Sequence, residues 1–271
     1  MLPVKSAMLP VSETLFIPLR QRAEAALWHP RFRDPMAEKW WKALPDIIDF
    51  PILHAPLAAM KKIAVTRSEG IDQQIRSLAR NTRLKTVIEL GAGLSTRPYR
   101  LQDLGLEFVL VDFPEVIALR AQMEAGSKKI SLLGEDILDW NFVGGDLPFA
   151  PSETLIVAEG LLHYFSPEDV HELVRKLKNR FSGAYFLADY YASWVTPLMK
   201  AKLDENKKVP LRFGLAHAEA LGFRQVLQQH SLLEDLGSYA SPKQNLLAKV
   251  FSTALKLNWV QKLYQLALWK I

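Results

Sequence analysis

From residue 85 onward, short apolar runs alternate with stretches of helical character. The strand-like runs are residues 85–90, 107–112, 129–136, 153–160 and 183–191. Helices are predicted between them over TRPYRLQDL, PEVIALRAQM and SPEDVHELVRKLKN. Ser166, followed by Glu168 and Asp169, is typical of a helix N-terminus. Strands that alternate with helices form a parallel sheet with helices on both faces, so the sequence predicts a doubly wound α/β fold.

The region before residue 85 is helical instead. Residues 13–43 predict two helices punctuated by Pro30 and Pro35, and residues 70–82 predict another helix. We therefore expect three parts: an N-terminal helical cap over residues 1–82, an α/β core over residues 83–240 and a C-terminal segment over residues 241–271.

The C-terminal segment is basic. No acidic residue follows Asp235, whereas the lysines of this region are Lys243, Lys249, Lys256, Lys262 and Lys270. We favour an amphipathic closing helix with a solvated lysine face. Weak contact of that face with a membrane surface or an acidic partner is the alternative, and we expect no binding to nucleic acid.

The composition is that of a soluble globular protein, with 49% hydrophobic and 23% charged residues in a chain of 271. No apolar run approaches the ~18 residues needed to span a membrane. The first residues, MLPVKSAMLPVSETLF, make a poor signal peptide, so we expect a cytoplasmic protein. The absence of cysteine excludes disulfides, thiol nucleophiles and cysteine-ligated metal, and we expect no metal site.

Each of the first four predicted strands has an acidic residue at its last or second-last position. These residues are Glu89, Asp112, Asp136 and Glu159. In open α/β sheets, ligands bind beyond the carboxyl ends of the strands, so these carboxylates are expected to surround a ligand. Gly91 and Gly93 would let the turn after the first strand approach that ligand closely. The spacing from Gly91 to Asp112 is the one at which a carboxylate can accept hydrogen bonds from both ribose hydroxyls.

The glycine turn indicates which nucleotide it binds. Residues 91–96 read GAGLST, which lacks the third small residue of a dinucleotide-binding GxGxxG turn because Thr96 stands there. Glu89 would repel a pyrophosphate but attract a ligand with cationic groups. S-adenosylmethionine carries a sulfonium and an α-ammonium beside its ribose and adenine. The sequence therefore predicts S-adenosylmethionine as the cofactor and disfavours a nicotinamide oxidoreductase.

An ordered set of motifs resembles a known family. ELGAGLSTRPYRL, VDFPEVIALR, GEDILDW and EGLLHYF, with ETLFIPLRQRA, FRDPMAEKW and TRSEGIDQQI upstream, resemble the leucine carboxyl methyltransferase family and its bacterial relatives of the tetracenomycin-type polyketide O-methyltransferases. The resemblance covers roughly residues 13–235. It implies a class I, Rossmann-like methyltransferase fold that uses S-adenosylmethionine, with the helical cap over the cofactor site.

The resemblance also implies roles for individual residues. Arg67 would bind the methionine carboxylate of the cofactor, with Gly91 beneath the methionine moiety. Asp112 would accept from the ribose hydroxyls, and Glu159 would lie near the α-ammonium. Asp136 would bind the adenine amino group, next to the backbone amide of Ile137. Arginine suits a carboxylate, and carboxylates suit a diol, an amine and an ammonium.

The methyl acceptor is the least constrained prediction. His163, with Tyr164 beside it, is the candidate base for a hydroxyl acceptor, whereas an ionised carboxylate needs no base. A packed, hydrogen-bonded His163 is the alternative interpretation. We favour a small natural-product or polyketide-like acid or phenol as the acceptor. A protein C-terminal carboxylate is the second hypothesis, and a catalytically silent cofactor-binding or membrane-associated interaction protein is the third.

Overall fold

The computed structural model describes residues 15–29, 31–44, 62–124, 126–139, 150–196, 212–216, 218–226, 230–232 and 262–271. Within these residues the protein is built on one mixed sheet of eight strands. The strands are β1 Thr86–Leu90, β2 Glu107–Asp112, β3 Ile130–Gly134, β4 Thr154–Ala158, β5 Tyr185–Tyr191, β6 Arg224–Gln225, β7 His230–Ser231 and β8 Tyr264–Lys270. The order across the sheet is β3-β2-β1-β4-β5-β8-β6, with β7 also paired to β8.

The five predicted strands are confirmed as the parallel part of this sheet. β1 pairs in parallel with both β2 and β4, β3 extends the sheet beyond β2, and β5 extends it beyond β4. Every residue of β1 and of β4 is buried, as expected for central strands covered on both faces. β2 and β3 are added on one side of β1, and β4 and β5 on the other, so the strand order reverses between β1 and β4. Such a reversal opens a crevice beyond the carboxyl ends of the two strands.

The helices lie on both faces of the sheet. They are α1 Phe16–Ala23, α2 Pro35–Ala43, α3 Ile63–Asn81, α4 Arg97–Arg100, α5 Pro114–Met123 and α6 Pro167–Arg180. The buried residues of α6 share one core cluster with Ile88 and Ile156, whereas buried residues from the second half of α3 share another with Val87 and Leu155. Because neighbouring residues of one strand enter opposite clusters, the sheet is covered on both sides.

The first two helices pack on the edge of the sheet that carries the glycine turn. Phe16 and Leu19 of α1 and Trp40 of α2 form a core cluster with Leu94, which follows the turn, and Leu119 of α5. α3 packs on the sheet itself. The predicted boundary between cap and core at residues 82 and 83 therefore separates α3 from the sheet that it covers, and the division stays a prediction.

The C-terminal strand differs from the sequence interpretation. The sequence predicts a helical segment over residues 241–271, but residues 264–270 form β8, which pairs antiparallel with the whole of β5. The sequence of β8 lacks a regular alternation of apolar and polar residues. Six of its seven residues are nevertheless buried, because β8 lies inside the sheet with partner strands on both sides. The predicted helical stretch over residues 241–261 lies outside the described residues.

The start of α6 confirms its predicted signal. The Ser166 Oγ accepts a hydrogen bond from the Asp169 amide at 3.1 Å, and the Asp169 carboxylate accepts one from the Ser166 amide at 3.1 Å. This capping box satisfies two backbone donors that a helix N-terminus leaves unpaired. Across the described part of the chain, no helix combines the length and the apolarity needed to cross a membrane.

Candidate functional site

Three of the predicted acids lie near the carboxyl ends of the adjacent strands β2, β1 and β4. Leu90 of β1 is in register with Val111 of β2 and with Ala158 of β4. Asp112 and Glu159 therefore extend one residue beyond that level on either side of β1, while Glu89 precedes it. The three carboxylates belong to adjacent parallel strands and frame the turn that leaves β1. This is the crevice in which open α/β sheets bind ligands.

The two glycines of that turn have different tasks. Gly91 has a φ of 61°, and a Cβ there would lie 2.7 Å from Cδ1 of Leu161. The group that approaches Gly91 closely is thus the Leu161 side chain of the protein itself, whereas the sequence predicts a ligand there. Gly93 has a φ of 49°, and its amide donates to Oδ2 of Asp112 at 2.7 Å. The Gly93 amide ties the turn to the end of β2.

Asp112 is held by two backbone amides. Besides the bond from Gly93, its Oδ1 accepts from the amide of Phe113 at 2.8 Å. Burial raises the pKa of the Asp112 carboxyl, and the two hydrogen bonds oppose that shift. Each oxygen retains a further lone pair, so the carboxylate is positioned and can still accept from hydroxyl donors.

Asp136 and Ile137 follow the neighbouring strand. Asp112 is in register with Gly134, the last residue of β3, so Asp136 lies just beyond the same edge of the sheet. Its Oδ1 accepts from the amide of Leu138 at 2.9 Å, which closes a tight turn. Ile137 is buried and belongs to the core cluster beneath the sheet edge.

Glu89 has a partner that the sequence analysis did not include. Its Oε2 lies 2.8 Å from Nη1 of Arg97, and its side chain is 3% exposed. The expected repulsion of a pyrophosphate by Glu89 assumes a free carboxylate, whereas Arg97 compensates part of that charge. The other oxygen, Oε1, is buried with no hydrogen-bond partner among the described residues. A buried acceptor in this state favours a ligand donor.

Glu159 is bound by two arginines. Its Oε1 lies 3.0 Å from Nε of Arg67 and accepts from the Ser68 hydroxyl at 2.9 Å, while its Oε2 accepts from Nη2 of Arg97. Burial alone would raise the pKa of Glu159, but Arg97, Arg67 and then Arg22 outweigh it and hold that pKa well below its usual range. Glu159 is therefore ionised throughout the physiological range of pH.

Arg67 is surrounded by protein groups. Its Nη1 donates to the Tyr264 hydroxyl at 3.0 Å and lies 3.6 Å from Oδ2 of Asp189. Gly160 leaves no room for a side chain beside the guanidinium, because a Cβ there would lie 2.7 Å from Nη1. The structure thus places Arg67 at the predicted edge, where it already pairs with the predicted cofactor ligand Glu159.

His163 and Tyr164 lie just after this cluster. The His163 side chain is buried, and its ring centroid is 4.3 Å from that of Tyr164 and 5.5 Å from that of Tyr191. Burial, with a smaller contribution from Arg67, lowers the pKa of His163 to about 3. An efficient general base has a pKa near the working pH, so the predicted role of His163 as a base is not supported.

Several charged residues near this edge were not identified as site residues from the sequence. Arg97 also binds Asp72 of α3, with 2.8 Å between Nε and Oδ1. Arg100 binds Asp72 and Asp34, and the Thr96 hydroxyl donates to Asp34 at 2.5 Å. The available signal was the presence of charged residues inside the quoted motifs TRSEGIDQQI and GAGLSTRPYR. Their pairing joins segments far apart in sequence and could not be read from spacing.

Comparison with known families finds a similarity to the same family as the motifs. The family model described as "Leucine carboxyl methyltransferase" matches residues 20–130. The resemblance to this family is confirmed. Leucine carboxyl methyltransferase 1 of Rattus norvegicus is 25% identical over 228 residues, covering 72% of this chain. The chain spans 64% of the length of that relative. The tetracenomycin-type branch stays a prediction.

Solved structures support the fold. A candidate methyltransferase from Thermobifida fusca YX matches with a TM-score of 0.56 at 18% identity, covering 92% of this chain and 93% of the other. A DUF574 family protein from Streptomyces avermitilis MA-4680 matches with a TM-score of 0.59 at 14% identity, covering 93% and 96%. Similarity at this level shows the architecture, and the predicted class I, Rossmann-like methyltransferase fold is confirmed.

Proposed function

We propose that this protein is an S-adenosylmethionine-dependent O-methyltransferase. The observation that carries the proposal is the grouping of Glu89, Asp112 and Glu159 around one glycine turn at the carboxyl edge of the sheet. The family match supports the same reaction class. The buried, unpartnered Oε1 of Glu89 fits a ligand that brings a hydrogen-bond donor or a cation to this edge.

The residues at this edge would each contact a different part of the cofactor. Asp112, fixed by the amides of Gly93 and Phe113, would accept from the ribose hydroxyls. Asp136 and Ile137, beyond the next strand, would contact the adenine. The bound cofactor supplies an electrophilic methyl group on a sulfonium, and the protein contributes position and exclusion of water.

The methionine end of the cofactor would meet the charged part of the site. Glu159 and Glu89 are anionic groups suited to the α-ammonium, and Arg67 is the cation suited to the carboxylate. Since Arg67 and Glu159 already contact each other at 3.0 Å, ligand binding would add to an existing ion pair.

A carboxylate fits this site better than a hydroxyl as the methyl acceptor. A hydroxyl must lose a proton as the new bond forms, and the neutral His163, with a pKa of about 3, is a weak base for that proton. A carboxylate is already ionised near neutral pH and needs no base. We therefore favour a small carboxylic acid, with the C-terminal carboxylate of a protein as the second candidate because of the rat relative.

Calorimetric titration tests the cofactor. We expect S-adenosylmethionine and its demethylated product to bind and NAD not to bind. Asp112→Ala should weaken cofactor binding by roughly 2–4 kcal/mol, because charge-assisted hydrogen bonds in a partly buried site are lost. Asp103→Ala is the matched control, since Asp103 pairs with Arg76 on the surface. Binding of NAD in place of S-adenosylmethionine would refute the proposal.

A panel of acceptors tests the reacting group. Small carboxylic acids, phenols and peptides with a free C-terminus would be incubated with methyl-labelled cofactor. We expect labelled, base-labile esters from carboxylic acids and no product from phenols. A His163→Leu variant should keep most of this activity. Labelled phenyl ethers, lost in the His163 variant, would instead establish a hydroxyl acceptor and a catalytic imidazole.

A further inference from the structure

Arg97 lies at the centre of the acidic edge. It is the first residue of α4, and its side chain is 0% exposed. Its guanidinium contacts three carboxylates that come from different elements: Asp72 of α3, Glu89 of β1 and Glu159 after β4. Nε, Nη1 and Nη2 each face a different acid, so the planar group is used on all sides.

The three acids depend on Arg97 to different degrees. Asp72 has a second partner in Arg100, at 2.7 Å, and Glu159 has a second partner in Arg67, at 3.0 Å. Within the described part of the chain, Glu89 forms an ion pair with Arg97 alone. Glu89 is therefore the acid whose charge and position rest most directly on this one guanidinium.

Burial makes this dependence strong. Glu89 is 3% exposed and Glu159 is 12% exposed, so neither carboxylate is fully solvated. Two like charges in such surroundings repel, and an unpaired buried carboxylate takes up a proton more readily than an exposed one. A guanidinium between them offsets both effects, and a lysine could not reach all three acids with one ammonium.

We propose that Arg97 is a positioning residue that sets the geometry and charge of Glu89 and Glu159 for the α-ammonium group of the cofactor. This inference rests on the proposed function. Arg97 would not itself touch the reacting atoms. It would act through the two glutamates, and its loss would change how their affinity for the cofactor depends on pH.

Calorimetric titration with S-adenosylhomocysteine between about pH 5 and pH 8 tests the proposal. For the unmodified protein we expect a dissociation constant that changes little over this range. For Arg97→Gln we expect weaker binding that deteriorates further as the pH falls, by up to about 10-fold per pH unit for each proton taken up. Arg97→Lys, which keeps a charge but not the fork, should show the same trend with smaller amplitude.

Arg100→Lys is the matched control. Arg100 is equally part of the buried network and binds Asp72, but it contacts neither Glu89 nor Glu159. Arg100→Lys should lower the melting temperature, while the dissociation constant of S-adenosylhomocysteine should stay independent of pH. If Arg97→Gln does not fold, the profile of Arg97→Lys decides. Flat profiles in the folded Arg97 variants would overturn the inference, whereas failure of the unmodified protein to bind the ligand would overturn the proposed function instead.

Discussion

The folded state disfavours the protonated form of the His163 imidazole. Its pKa is lowered to about 3 in the folded protein, against an ordinary value of 6.5. Below about pH 6.5 the unfolded chain gains a proton that the folded chain excludes, so His163 stabilises the fold above that pH and the benefit is lost as the pH falls towards 3. One such proton corresponds to about 1.4 kcal/mol of unfolding free energy per pH unit.

Replacement of His163 should therefore reduce the sensitivity of the fold to acid. We expect His163→Leu to lose less unfolding free energy than the unmodified protein between about pH 6.5 and pH 5. Urea unfolding at several pH values measures this slope. His171→Leu is the control, because His171 lies exposed on α6. Equal slopes for the unmodified protein and the His163 variant would show that the imidazole is not linked to folding.

At the scale of the element, β8 is the strand that completes the sheet. It inserts between β5 on one side and the short β6 and β7 on the other. Trp269 of β8 is 0% exposed and its ring lies 5.5 Å from that of Phe186 on β5. Tyr264 of the same strand donates to Asp189 and accepts from Arg67. β8 therefore contributes both to the core and to the charged edge.

Truncation of Trp269 should have a large cost. We expect Trp269→Ala to lower the free energy of unfolding by about 3–5 kcal/mol, because removal of a fully buried aromatic side chain leaves a cavity that the sheet cannot close. Chemical denaturation provides the measurement. Leu27→Ala, at a position 84% exposed, is the comparison and should change stability by no more than about 0.5 kcal/mol. A similar loss in the two variants would contradict the burial of β8.

At the scale of the whole molecule, buried ion pairs join the N-terminal helices to the sheet. Arg22 of α1 lies 3.4 Å from Asp34, which caps α2 and also binds Arg100 of α4. Asp72 then links Arg100 to Arg97, whose partners are the acids of the sheet edge. The charges alternate in sign along this chain of contacts, so each buried ion is compensated by its neighbours. The N-terminal helices are thus coupled electrostatically to the candidate cofactor site.

Much of the architecture follows from local sequence. The parallel strands, α5 and the capped start of α6 are encoded by apolar periodicity and by turn and capping residues that act within a few positions. The gathering of Asp112 and Glu159 at one edge follows as well, since parallel strands end on the same side of a sheet. These features need no knowledge of which distant segments meet.

The remaining features were decided by contacts between distant segments. Residues 264–270 form a strand because they pair with residues 185–191, whose other side would otherwise be unpaired. The sequence pattern of residues 264–270 does not by itself specify this pairing. Arg97 meets carboxylates from three separate segments, and the low pKa of His163 arises from burial beside Arg67. Desolvation and Coulomb energies depend on three-dimensional distances, which only the packed chain defines. The sequence by itself therefore determined the parallel core and the place of the acids, and the tertiary structure decided how those acids are paired and charged.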